Sequence, residues 1–183
     1  MADFVRAAAL LQCEVAAIRA VAKKESSGGG FLKGRILTVR FEGHIFEQKT
    51  GRRFSRTHPT LSHPYMRNCP YNKGTISDWR RLEAARQLAG DVAFECASYG
   101  LFQIMGFHYK MLGYDSAYAM VQAFNESEGK QLDGFCLFIR KQGWAVYLRR
   151  LMFDAFALRY NGKDHAANNY GPDMQAYYDE FRA

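Results

Sequence analysis

Apolar positions near the start of the chain recur at steps of three and four. Phe4, Ala8, Leu11, Val15, Ile18 and Ala22 therefore fall on one face of a helix. Asp3 is placed to cap that helix, and Lys23 and Lys24 fall in its last turn, where the dipole favours cations. The run Ser26-Ser27-Gly28-Gly29-Gly30 then stops it. Residues 35–42 change to a period of two, with Leu37, Val39 and Phe41 on one side, which predicts a strand. A short helix follows through Ile45 and Phe46 and ends at Gly51. Residues 52–74 carry Pro59, Pro64 and Pro70 with little periodicity and predict a long loop, a feature that in a compact domain is usually either functional or mobile. Beyond it the patterns are helical: 77–88 with Gly90 as a stop, 101–112 before Gly113, 116–125, 130–141 and 144–160. A last short helix starts at Gly171-Pro172. The expectation is a single, mainly α domain over residues 1–183, with a small β element near 35–42.

Composition narrows the function classes. Of 183 residues, 48% are apolar, with 14 Phe, 11 Tyr and 2 Trp, enough for a substantial core and too many for a disordered chain. Lys and Arg exceed Asp and Glu by 25 to 18, so the net charge of +7 favours polyanions. The cations are dispersed, and no helix-turn-helix, knuckle or aromatic RNA-binding motif accompanies them, so nucleic acid is not expected as a partner. No run reaches the roughly 20 apolar residues of a membrane-spanning helix. The start lacks a basic segment followed by an apolar one, so synthesis in the cytoplasm without a signal peptide is expected. Residues 142–160 combine arginines with apolar positions, as an interfacial helix would, though a core helix fits as well. Cys13, Cys69, Cys96 and Cys136 lie far apart with no C-x-x-C and read as free thiols. His58 and His63 with Cys69 match no standard zinc spacing, and His44, His108 and His165 stand alone, so neither metal nor cofactor is expected.

Three segments carry candidate chemistry. Glu25 falls three residues after Ala22 and prolongs the buried stripe of the first helix. Burial and the negative end of the helix dipole would both raise its pKa, as a general acid near neutral pH requires. The alternative is a solvated helix-end glutamate paired with Lys23 or Lys24. In residues 97–106, a tight turn at Gly100 leads into a helix, and Ser98 and Gln103 are polar groups among apolar neighbours. They either satisfy local backbone or orient a carboxylate and a ligand. Tyr160-Asn161-Gly162 closes a helix, either as a sugar-contacting pair or as an ordinary left-handed cap.

Taken in order, Glu25-Ser26-Ser27-Gly28, Ser98 to Ile104 and Tyr160-Asn161-Gly162 resemble the motifs of lysozyme-like glycan cleavers, which include goose-type lysozymes and lytic transglycosylases. Lys24 to Phe31, Gly34 to Leu37, Arg40 to Phe46, Ala97 to Gly106 and Arg159 to Tyr170 are similar to the N-acetylmuramidase family of phage endolysins, over nearly the whole chain. The resemblance implies a lysozyme-like helical domain that cleaves peptidoglycan between N-acetylmuramic acid and N-acetylglucosamine. It implies Glu25 as catalytic acid, with Ser98, Gln103, Tyr160 and Asn161 lining the cleft. Glu42 matches a recurring Phe-Glu-x-His segment, either as a second carboxylate or as a partner of a nearby arginine. A transglycosylase giving 1,6-anhydro products is the alternative chemistry, and a basic nucleic-acid-binding module the alternative outside catalysis. The implied partners are peptidoglycan and an anionic wall or outer-membrane surface. The protein would work as a monomer on the wall after its release.

Many relatives carry a separate wall-binding module, and no segment here is long enough to be one, so anchoring would rest on the cleft and the basic surface. Binding to purified wall fragments is then expected to weaken with added salt, because screening at about 0.15 M limits attraction to about 8 Å. Cosedimentation across a salt series measures this. Salt-independent binding would point instead to a dedicated carbohydrate pocket.

Overall fold

A computed structural model describes residues 1–25 and 29–183. The chain forms two compact units, one from residues 1–28 with 129–183 and the other from residues 29–128. It is mainly α-helical with small antiparallel sheets.

The first amphipathic stripe folds as two helices, α1 (Ala2–Leu11) and α2 (Val15–Glu25), rather than one. Gln12 takes the left-handed conformation at φ 55°. Its amide donates to Ala9 O and that of Cys13 to Ala8 O, at 3.3 and 3.1 Å, which satisfies the orphan carbonyls of α1. The three intervening residues preserve the spacing of apolar positions, so periodicity alone shows no break. Asp3 lies within the first turn, after the Met1 cap, and pairs with Arg6 at 2.9 Å. The expected stop at Ser26, Ser27 and Gly28 lies outside the described residues.

In the second unit the strand expected at 35–42 is split by Thr38. A hairpin pairs β1 (Phe31–Leu32) with β2 (Ile36–Leu37), whereas β3 (Val39–Phe41) joins another sheet. Thr38 donates its amide to Gly30 O at 3.0 Å and accepts from the Gly100 amide at 2.8 Å, so it passes the chain between sheets. Leu37, Val39 and Phe41 are buried on one side, as their alternation predicts. Next come α3 (Gly43–Lys49), the helix-free segment 52–74, α4 (Thr75–Ala89) and α5 (Val92–Glu95). The long loop is ordered around Arg81 of α4, which is 8% exposed. Its guanidinium donates to Thr60 O at 3.0 Å, to Phe41 O at 3.3 Å and to Asn72 Oδ1 and Asp78 Oδ1 at 2.9 Å each.

The helix expected at 101–112 is absent. Strands β4 (Ala97–Tyr99) and β5 (Ile104–Met105) extend the sheet in the order β3-β4-β5, and a short 3₁₀ turn follows at Gly106–His108. Phe102, Ile104 and Gly106 are buried while Gln103 and Phe107 are exposed, a period of two that the sequence also permits. Gly100 and Gln103 have φ of 73° and 48°, which close the turn and exclude a helix. Helix α6 (Ala117–Glu126) starts at Ser116, whose side chain accepts from the Ala119 amide.

The chain re-enters the first unit along α7 (Glu128–Lys141). The single helix expected at 144–160 is divided into α8 (Ala145–Arg149) and α9 (Phe153–Asn161). Leu151, at φ 54°, repeats the device seen at Gln12: its amide donates to Leu148 O and that of Met152 to Tyr147 O. The last helix, α10 (Tyr170–Arg182), packs along α2 and against α9. Ala17, Ile18 and Val21 of α2, Phe156 of α9 and Met174 of α10 are fully buried in this unit.

Gly106 allows no larger residue, since an added Cβ would lie 1.9 Å from Phe94 O. Gly106→Ala is expected to cost about 2 kcal/mol and to lower the thermal midpoint by roughly 4–8 °C. Calorimetry checks this, and an unchanged midpoint would contradict it.

Candidate active site

Glu25 is the final residue of α2, and its half-buried carboxylate accepts a hydrogen bond from Asn161 Nδ2 at 2.9 Å. Asn161 is likewise the last residue of α9, where Gly162 at φ 75° turns the backbone away. Two helix ends thus meet through one side-chain contact. The solvated alternative for Glu25 is not observed, because both neighbouring lysines are engaged by α10. Lys23 pairs with Glu180 at 2.8 Å, and Lys24 binds Asp173 and Asn168 O. Among the described residues no cation forms an ion pair with Glu25. Burial is the main cause that pushes its pKa from 4.5 up to about 7, against the opposing Asn161 bond and Lys24 charge.

Aromatic rings build the wall behind this carboxyl. Tyr160 stacks on Phe156 at 5.8 Å and meets Phe135 and Phe138 edge-on at 5.3 and 6.1 Å. Burial, with the nearby Glu25 charge, holds the Tyr160 hydroxyl well above its usual range. Tyr170, at the start of α10, is raised for the same reasons, and its ring lies 4.6 Å from Lys24 Nζ. Neither Lys24 nor Tyr170 was taken as a site residue from sequence, although each adjoins a motif, Lys24 next to Glu25 and Tyr170 just before Gly171-Pro172.

The remaining candidates belong to the second unit. Ser98 is buried in β4 and donates from Oγ to Gln103 Oε1, while Gln103 Nε2 donates to Gly100 O, both at 2.9 Å. The pair therefore closes the β4–β5 turn, as the local alternative anticipated, and leaves the Gln103 side chain exposed. Glu42 follows β3 and is half-buried, with Arg40 Nε 3.2 Å from one oxygen and His44 Nδ1 3.5 Å from the other. It borders a cavity of about 330 Å³ together with segment 52–74.

His63 and Cys69 approach at 3.6 Å, but His58 turns to Thr57, and no three metal-binding side chains converge among the described residues. Cys96 and Cys136 are buried free thiols, and Cys13 and Cys69 are half-buried free thiols.

The family model described as N-acetylmuramidase matches residues 14–182. The crystal structure of Burkholderia AP3 phage endolysin is similar with a TM-score of 0.92 and 37% identity, over 100% of this chain and 71% of that one. Among curated proteins, none matches.

A carboxyl raised from 4.5 to about 7 makes stability depend on pH. Its contribution is fully present below the unfolded value and is lost as pH rises through the folded one. The urea midpoint of Glu25→Gln, compared with wild type, is expected to improve progressively between pH 4.5 and pH 7. A difference that stays constant across this window would contradict the raised value.

Proposed function

The chain belongs to the N-acetylmuramidase family, and from that premise we propose that it hydrolyses the glycosidic bond between N-acetylmuramic acid and N-acetylglucosamine, with Glu25 as general acid. It is a peptidoglycan-degrading catalytic domain of the phage-endolysin kind. One observation carries the assignment to Glu25: a carboxyl pushed up to about 7, oriented by Asn161. An ordinary glutamate is almost wholly ionised at neutral pH and has no proton to give. At about 7 close to half of the molecules hold the proton that the departing sugar oxygen requires. The Asn161 bond fixes one carboxyl oxygen and leaves the other for the substrate.

Glu42 is the proposed second carboxylate, taking a proton from the attacking water. Arg40 and His44 hold its two oxygens and so orient it. The same ion pair favours a second reading, in which Glu42 is structural. The 6-hydroxyl of muramic acid would then attack instead of water, as in a lytic transglycosylase. Tyr160 and Asn161 are proposed to contact the glycan beside Glu25, and Ser98 and Gln103 to contact it from the β4–β5 turn. The proposal takes the chain as one catalytic domain, acting as a monomer on the wall after release. No helix among the described residues is long and apolar enough to cross a membrane.

Digestion of purified peptidoglycan, followed by borohydride reduction and mass analysis, separates the readings. Hydrolysis gives reducing ends that become alditols, whereas transglycosylation gives anhydro ends lighter by one water. Reducible muropeptides are expected, with Glu25→Gln slower by about 10²–10⁴-fold and Glu42→Gln also impaired. Cuts confined to peptide stems would overturn the muramidase assignment, and anhydro products would overturn hydrolysis. Full activity of Glu42→Gln with reducible products would remove Glu42 alone.

A further inference from the structure

The cavity that borders Glu42 has a chemistry that glycan alone does not call for. Its volume of about 330 Å³ is enclosed by β3, the start of α3, segment 52–74 and the residues after β5, all within the second unit. Sugar hydroxyls and acetamides carry no charge, so they supply no counter-charge to a free cation. This cavity offers one such cation at its rim. Arg40 is engaged with Glu42, whereas Arg67 makes no ion pair or side-chain hydrogen bond among the described residues and is exposed at the rim. Asn72 adds a donor of defined direction. Its Oδ1 accepts from Arg81 at 2.9 Å, which sets the amide orientation and leaves Nδ2 to donate. Met66, Met105 and Phe107 supply apolar wall beside these polar groups.

We propose that this cavity binds the peptide stem of the peptidoglycan substrate, with Arg67 and Asn72 taking its carboxylates and the apolar wall its alanine methyls. The inference rests on the muramidase reading above and extends it from the sugar bond to the substituent that muramic acid carries. The stem leaves the sugar through the lactyl ether of muramic acid, close to the bond that is cut. A pocket walled by the second carboxylate is therefore within reach of it. The site is also pre-organised. Arg81 ties Thr60 and Asn72 of the loop to Phe41 of β3, so little ordering remains to be done on binding.

The test compares glycan strands carrying their stems with the same strands stripped by an amidase, using wild type and Arg67→Ala and Arg67→Glu. The readout is the ratio of kcat/KM on the two substrates, so a general loss of activity cancels. Wild type is expected to prefer the stem-bearing strands by about fivefold, the scale of one exposed charge pair. Arg67→Ala should bring the ratio towards one and Arg67→Glu below that. In parallel, a free stem tetrapeptide is titrated into wild type and Arg67→Glu by NMR, with saturable shifts expected only in wild type. A ratio that Arg67→Ala leaves unchanged, or a tetrapeptide that does not bind wild type, overturns the proposal. If neither strand is cleaved while the tetrapeptide binds, the muramidase reading fails and the stem site stands. If both strands are cleaved equally and no peptide binds, the reverse holds.

Discussion

The first unit is arranged around a single half-buried carboxyl that must remain without a cationic partner. Glu25 ends α2 and is joined to the end of α9 by the Asn161 bond, across 136 residues of chain. Two lysines adjoin it in sequence, and either would hold its pKa low if it were free to fold back. Both are drawn to α10 or the residues just before it, Lys23 by Glu180 and Lys24 by Asp173 and the Asn168 carbonyl. Packing of α10 along α2 thus does two jobs at once. It buries the apolar face of α2, and it gives both lysines carboxylate partners other than Glu25, so that the remaining Lys24 charge only partly offsets burial. The buried rings of Phe156 and Phe135 pack against Tyr160, which is close enough to feel the Glu25 charge.

Such a group opposes folding when it is ionised, because desolvation is its largest contribution and the lone hydrogen bond only partly offsets it. The surrounding core has to carry that cost, and fully buried residues such as Ile18, Phe156 and Met174 provide it. The second unit solves a different problem. Its loop over 52–74 has neither helix nor strand, yet it is held by a buried Arg81–Asp78 pair at 2.9 Å whose remaining donors go to the Phe41 and Thr60 carbonyls and to Asn72 Oδ1. A buried arginine is tolerated only when its hydrogen bonds are met, and here meeting them orders the loop that borders Glu42.

How far the sequence was legible depended on whether the deciding residue was visible. Glu25 could be placed on the buried stripe because the spacing from Ala22 survives in the structure, even though the stripe spans two helices. The breaks at Gln12 and Leu151 were hidden because non-glycine residues occupy left-handed caps there. The stop at Gly90, with φ 65°, was readable from its glycine. Residues 101–106 fit helical and strand patterns alike, and the deciding fact, the approach of Gly106 to the Phe94 carbonyl, is tertiary. The bond from Asn161 to Glu25 carried no sequence signal: the resemblance implied both as site residues, but no local rule connects residues so distant. Arg81 and Asn72 carried no sequence signal, because their roles depend on where the loop returns.

The central claim is that the folded protein raises the Glu25 carboxyl to about 7 through burial, with Asn161 pulling in the opposite direction. Its most direct test is a carbon-13 NMR titration of the Glu25 side-chain carboxyl in wild type and in Asn161→Ala. The account requires a midpoint about 7 in wild type and a higher one in the variant, where the opposing hydrogen bond is gone. A wild-type midpoint at the ordinary 4.5, unchanged by Asn161→Ala, would contradict it.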